Sequence, residues 1–312
     1  MYFEDLNGQH RYIPIEETSD LMIFGDVELN KRFLEFTAAH EIISHFFNHY
    51  GYYVGSFYPK EHYNSGYMIL RQAEHYLDNA KRLAIARAFV MGAARNIRQL
   101  LKYYVNRARP VHDTLQEIES LMTRIPHVSD LSALMAIEGN IREQYYQAFD
   151  AIHGDDRFPF EGRSRRPPQN ELNTLISFGN GILYSTVLSE IYRTHLDPRI
   201  GFLHATNYRR FSLNLDVAEI FKPLIVDRTI FTLIGKRMIA PKDFIPHSGG
   251  MMLKDSGRQV FIKAIEDRLK TIIRHRGLAR PVSYRRLIRM ELYKLEKHFM
   301  GEQGYDPYVT QW

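Results

Sequence analysis

Tyr76-Leu-Asp-Asn-Ala-Lys-Arg-Leu-Ala-Ile-Ala-Arg-Ala-Phe-Val-Met91 lies inside a longer run, Met68 to Tyr104, that keeps helical spacing with few breakers. Ile69, Ala73, Tyr76, Leu77, Ala80, Leu83, Ala84, Ala88 and Met91 recur three or four residues apart, so they line one face of an amphipathic helix. The chain before this run reads differently. Tyr12-Ile-Pro-Ile15, Leu21-Met-Ile-Phe24 and Gly51-Tyr-Tyr-Val-Gly-Ser-Phe57 are short, β-branched or aromatic, and bounded by Gly and Asp, which predicts strands. Asn30 to Ala39 interrupts them with helical spacing behind an asparagine suited to cap it. After the run, helices are predicted over Val111 to Met122, Asp130 to Phe149 and Asn170 to Arg193. A last helical block runs from Asp255 to Met300 with a break near Gly277 to Pro281. Arg157 to Gln169 holds Pro159, Gly162, Pro167 and Pro168 and is predicted to be a loop. The expected fold class is α+β. A small N-terminal β domain spans 1–66 and a larger all-α domain spans 67–312, divided at Asn64-Ser-Gly66.

Composition narrows the function classes. The 312 residues are 45% hydrophobic and 25% charged, ordinary for a chain that buries a core. No window approaches the ~18 apolar residues of a membrane span, and Met-Tyr-Phe-Glu-Asp does not open like a signal peptide, so a cytoplasmic protein away from membranes is expected. With Cys 0, disulfides, thiolate metal sites and cysteine nucleophiles are excluded. The net charge of +5 says little alone, but its distribution says more. Between Lys263 and Lys297 eleven Lys or Arg residues face four acidic ones, and Arg157, Arg163, Arg165 and Arg166 gather in the proline-rich loop. Basic stretches of this kind suit either a nucleic-acid surface or a solvated helix face.

The segment from Arg199 to Arg228 concentrates metal-ligand chemistry. Asp216 and Glu219 stand three apart in an apolar-periodic run, which puts both carboxylates on one helical face. His204 lies one loop upstream, and Arg209 and Arg210 between them suit a phosphate-bearing substrate. Glu138 interrupts an apolar helical face of Leu131, Leu134, Met135 and Ile137, and a carboxylate so placed needs a cation or a hydrogen bond. Each residue also has a plain structural reading: Glu138 pairing with Arg142 one turn on, His204 as a satisfied loop or core histidine, Asp216 and Glu219 as acids near a helix start. Together, oxygen ligands with one imidazole suit Mg²⁺ or Mn²⁺. Next to Gly139, Glu138 is open to the close approach of another backbone. His40-Glu-Ile-Ile-Ser-His45 nearly matches the zinc-protease pattern, but its second histidine comes one residue late, so a structural segment is expected. No Walker loop, dinucleotide fingerprint or paired Glu-x-x-His motif occurs.

Ile137-Glu-Gly-Asn140, Phe178-Gly-Asn-Gly-Ile-Leu-Tyr184, Ile200-Gly-Phe-Leu-His204 and Ser212-Leu-Asn-Leu-Asp-Val-Ala-Glu-Ile-Phe-Lys-Pro223 resemble, in order, the signature blocks of the CRISPR adaptation integrase. That family is the metal-dependent DNA endonuclease of these antiviral-defence loci. Gly51 to Pro59 and Ser283 to Arg289 resemble its type I branch, of the I-B kind. The resemblance implies a small β domain, which mediates dimerisation, followed by a helical catalytic domain. Because family members usually open with further strands, it also implies a sheet that begins part-way and exposes an edge. It implies Glu138, His204 and Glu219 as ligands of Mg²⁺ or Mn²⁺, with Asp216 as a nearby catalytic acid. Spacer insertion by 3′-hydroxyl transesterification is the implied activity, and a non-catalytic DNA-binding scaffold is the alternative. The implied partners are double-stranded DNA, as spacer precursor and repeat, the small second adaptation protein, and a second copy of the chain. Arg163, Arg165, Arg166, Arg209 and Arg210 are the expected DNA contacts.

Overall fold

In the computed structural model, which describes residues 1–311 apart from 5, 6, 61, 62, 64, 205–210 and 275–280, short strands precede long helices. Contacts group the chain into Met1–Asn64 and Ser65–Trp312. In the first unit, β1 (Tyr2–Glu4) pairs antiparallel with β2 (His10–Tyr12). A three-stranded sheet follows in the order β3 (Asp20–Ile23), β4 (Ile43–Phe47), β5 (Tyr53–Phe57). β3 and β4 are parallel, so a crossover must join them, and α1 (Lys31–Ala39) supplies it. The Asn30 side chain accepts the Phe33 N–H at 2.9 Å, the cap expected from the sequence. The histidines of the near-zincin segment part company. His40 ends α1 with Nδ1 2.8 Å from the Phe36 carbonyl, and buried His45 sits in β4 with Nδ1 2.6 Å from Ser56 Oγ.

The second unit opens with α2 (Gly66–Leu77) and α3 (Asn79–Val105). The run predicted as one helix thus breaks at Asp78, whose carboxylate accepts the N–H groups of Ala80 and Lys81 at 2.9 and 3.0 Å. Apolar spacing cannot register this break, because Asp78 sits on the polar face. Then come α4 (His112–Arg124), α5 (Leu131–Gln147), α6 (Phe149–His153), α7 (Glu171–Tyr192) and α8 (Leu213–Lys222). A π-helical turn, Pro223–Asp227, leads into α9 (Arg228–Gly235), and α10 (Asp255–Lys270) and α11 (Tyr284–Phe299) complete the helices. Two strand pairs interrupt a domain expected to be all-α, β6 (Phe244–His247) with β7 (Gly250–Leu253), and β8 (Ile272–Ile273) with β9 (Val282–Ser283). No helix of the described residues is long and apolar enough to cross a membrane.

α7 is the central helix, buried nearly all round, and its neighbours close on it through glycine. A Cβ on Gly179 would lie 2.6 Å from Val226 Cγ1 and 3.0 Å from Phe261 Cζ, so any larger residue would push the π-turn and α10 away. α3 is fastened to α8 by a polar clamp. Buried Asn96 donates to the carbonyls of Ile220 and Tyr308, each at 3.0 Å, and accepts the Thr310 N–H at 2.8 Å. The C-terminal segment therefore holds the helix that carries Glu219. Asn96→Leu keeps the volume but strands three buried backbone groups, so urea unfolding should show a loss of about 3 kcal/mol. A loss under about 1 kcal/mol would mean that the clamp is not what fixes α8.

Candidate metal centre

After α7 the chain returns to the start of α8, and hydrogen bonds seal the return. The N–H groups of Ser212 and Leu213 donate to the Pro198 carbonyl at 3.0 and 3.1 Å, and Ser212 Oγ accepts the Gly201 N–H at 2.9 Å. A Cβ on Gly201 would stand 2.7 Å from the Ser212 carbonyl carbon and 2.9 Å from Asp216 Oδ2, so this approach requires glycine. The closed turn aims successive donors at one carboxylate. Asp216, wholly buried in the first turn of α8, accepts the N–H of Phe202 at 2.5 Å, of Leu203 at 3.0 Å and of His204 at 3.0 Å. Its Oδ1 also lies 2.7 Å from His204 Nδ1. With the proton assigned to Nδ1 by this contact, Nε2 keeps its lone pair, the state of a metal-ligating imidazole with a carboxylate behind it. Burial by itself would lower the His204 pKa, but the Asp216 hydrogen bond and the charges of Asp216 and Glu219 raise it above the ordinary value.

Glu219 lies one turn further along α8, buried, with its carboxylate bonded by both Arg142 of α5 and Lys222 of its own helix. Arg142 also reaches Glu138, Nε to Oε1 at 3.3 Å, so one guanidinium joins the two candidate ligands from different helices. The backbone explains a third Arg142 contact. Pro223 has no N–H to give the Glu219 carbonyl four residues back, and Arg142 Nη2 takes that place at 3.3 Å. Burial would raise the Glu219 carboxyl, yet Arg142, Lys222 and His204 hold it well below the usual carboxylate range. Lys222 Nζ also stands 5.0 Å from the centre of the Tyr184 ring. Two turns after Glu219, burial pushes the Asp227 carboxyl up to about 6, and the Tyr145 hydroxyl donates to it at 3.0 Å.

A family model described as CRISPR associated protein Cas1 matches residues 1–267. The chain belongs to the Cas1 family. The CRISPR-associated endonuclease Cas1 2 of Thermodesulfovibrio yellowstonii is 55% identical over 312 residues, 100% of this chain and 94% of that protein. The structure of a Cas1 protein from Thermotoga maritima is 49% identical with a TM-score of 0.88, covering 98% of this chain and 94% of that one. A casposase bound to integration product shares the fold at 21% identity and a TM-score of 0.84, covering 93% of this chain and 81% of that one. The Thermotoga Cas1 structure agrees with the α+β architecture of strands followed by helices.

Within this Cas1 chain, the residues singled out from the sequence meet different fates. Glu138, His204 and Glu219 come from α5, the turn before α8, and α8, but no three His, Cys, Asp or Glu side chains among the described residues are gathered as a metal cluster. Both carboxylates turn to Arg142, so the ion pair read from helical spacing at Glu138 is present. Asp216, expected as a nearby catalytic acid, has its oxygens filled by backbone and imidazole donors and orients His204. Arg163, expected as a DNA contact, is half-buried. Its guanidinium donates to the Ser164 carbonyl in the loop and to Asn173 Oδ1 at 2.8 Å and Ser177 Oγ at 2.9 Å on α7. Arg165 and Arg166 are exposed on the same loop, and Arg209 and Arg210 lie outside the described residues. Arg142 was read only as the partner of Glu138, not of Glu219, and Lys222 was missed, although it stands one helical turn from Glu219, the signal that could have found it.

The donor set fits a hard divalent cation. Two carboxylates that share one guanidinium can share one metal ion, and an imidazole with its Nε2 lone pair free of Asp216 is the nitrogen such a site uses. The raised His204 pKa has a signed consequence in metal-free protein. Its stabilisation is fully present below the ordinary value near 6.5 and is lost as pH rises through the folded value. An NMR titration should put the wild-type ring above 6.5, and Asp216→Asn should bring it down. A ring unmoved by Asp216→Asn would separate Asp216 from His204.

Proposed function

We propose that this chain is the metal-dependent DNA endonuclease and integrase of CRISPR adaptation, with Glu138, His204 and Glu219 holding Mg²⁺ or Mn²⁺. The observation that carries the reading is the shared guanidinium, which brings Glu138 and Glu219 to one cation within the field of His204. A divalent cation bound there supplies Lewis-acid polarisation of a phosphodiester. The chain's own residues do the rest. Asp216 fixes the His204 tautomer, and Lys222 and Arg142 keep positive charge beside the place where phosphorus is attacked. The substrate is double-stranded DNA, as spacer precursor and as repeat, and Arg165 and Arg166 reach its phosphates. The small second adaptation protein is the partner, and the N-terminal unit makes the homodimer contact. The divisions at 1–66 and 67–312 separate dimerisation from catalysis.

Glu138→Ala and Glu219→Ala should each reduce Mn²⁺-dependent DNA cleavage by at least about a hundredfold, and EDTA should abolish it. Cleavage indifferent to both substitutions and to EDTA would mean that the metal-site assignment is wrong, and DNA binding with no cleavage in any metal would leave the scaffold. Integration is then separated from hydrolysis by the nucleophile, since both are in-line attacks on phosphorus by oxygen. With the partner protein, Mn²⁺ and a plasmid carrying the repeat, a duplex with free 3′-hydroxyls should be joined and one with 3′-dideoxy ends should not. Nicking without joining in every condition would make hydrolysis the better description.

Each phosphate neutralised adds about −0.9 to the log–log salt dependence of affinity, so Arg165→Glu with Arg166→Glu should flatten that slope by about 2 units. An unchanged slope would mean that the arginine loop does not touch DNA.

A further inference from the structure

Gly139 is not explained by the packing of this chain. It sits exposed in the interior of α5, where alanine is the better helix former, and a Cβ built on it meets no protein atom within 4 Å. Gly179 and Gly201 make room for their own neighbours. Gly139 makes room for nothing described here, and it directly follows Glu138.

What lies beside it is polar and open. Around the exposed side of α5 from Glu138, the surface passes Gly139 to Ala136 and Asn140, three residues before and one after. Those two residues form one wall of a groove of ≈ 620 Å³ whose opposite wall includes Arg124 and His127, from the end of α4 and the turn after it. The lining contains donors, in Arg124, His127, Ser129 and Asn140, and no carboxylate. The nearest acid in sequence, Asp130, accepts the Ala133 N–H at 2.9 Å as the cap of α5 and the hydroxyl of Ser129 in the lining at 3.4 Å, and exposed Glu143 lies one turn beyond Gly139.

We infer that this groove seats the sugar–phosphate backbone of the DNA strand that runs past Glu138, with Gly139 as the point of closest approach. The inference rests on Glu138 belonging to the metal centre. Arg124 can take a phosphate in a bidentate grip, and Asn140 offers an amide donor of the kind that fixes a backbone without reading bases. A side chain at position 139 would lift the strand off the helix and away from Glu138.

The test sets stability against binding in the full-length protein. Gly139→Ala should raise the melting temperature by about 2–4 °C, because it removes a helix-interior glycine. The same substitution should weaken binding of a fluorescent DNA duplex, measured in EDTA, about tenfold, and Gly139→Leu should weaken it more. Arg124→Ala should reduce the salt slope by about 0.9. Mn²⁺ affinity, followed by electron paramagnetic resonance, should stay within about twofold of wild type in the Gly139 variants. Wild-type DNA affinity in Gly139→Ala and Gly139→Leu would overturn the inference. That result together with lost Mn²⁺ affinity in Glu138→Ala would leave the metal centre standing without the groove. Weakened DNA binding in the Gly139 variants, with Glu138→Ala binding Mn²⁺ normally, would support the groove and remove Glu138 from the metal centre.

Discussion

One buried carboxylate organises the centre of the helical unit. Asp216 sits in the first turn of α8 and collects the N–H groups of Phe202, Leu203 and His204 together with the His204 imidazole. An ionised carboxylate in that position would be costly if unpaired, and donors converging on its two oxygens remove the cost. Their convergence depends on the turn before α8 lying against the helix, which depends in turn on glycine at 201. The imidazole is oriented by the same contacts that close the turn. Folding of this segment and orientation of the imidazole are one event.

The second constraint is the break at Pro223. A proline at that place ends regular α8 and opens a π-turn, and it frees the Glu219 carbonyl for Arg142. Arg142 comes from α5, three helices earlier in sequence, and it carries Glu138 with it. Two carboxylates far apart in the chain are thereby drawn to one cation by a gap in a backbone ladder. Asn96 supports the arrangement from behind by binding the Ile220 carbonyl next along the same helix.

Much of this was legible in the sequence, and the parts that were not have physical reasons. Apolar spacing found α4, α5 and α7, because a helix that buries a face must repeat at that period. It merged α2 with α3, since the cap at Asp78 falls on the solvent side where periodicity carries no signal. It missed β4, whose residues are buried nearly throughout and so do not alternate. Glu138 stood out because it broke an apolar face. Arg142 was legible only as an ordinary partner of Glu138 and Lys222 not at all, because charged residues at helical spacing are common on solvated faces and only the fold shows these two to be buried. Arg163 looked like its loop neighbours in sequence, yet it turns inward to hold the loop to α7.

The buried cations also bear on how an acidic site can meet a polyanion. Glu138, Asp216 and Glu219 carry three negative charges, and Arg142 and Lys222 return two positive ones, so with His204 neutral the group has a formal charge of −1. Three unscreened carboxylates would repel a phosphodiester strongly at contact distance, where a shared low-dielectric setting magnifies each charge. At −1 the repulsion is modest, and a divalent cation held by Glu138 and Glu219 would reverse the sign to +1. DNA binding and metal binding then favour each other through charge alone, before any ligand bond is counted. The same cations keep Glu219 ionised despite its burial, so the carboxylate stays an anion throughout the neutral range.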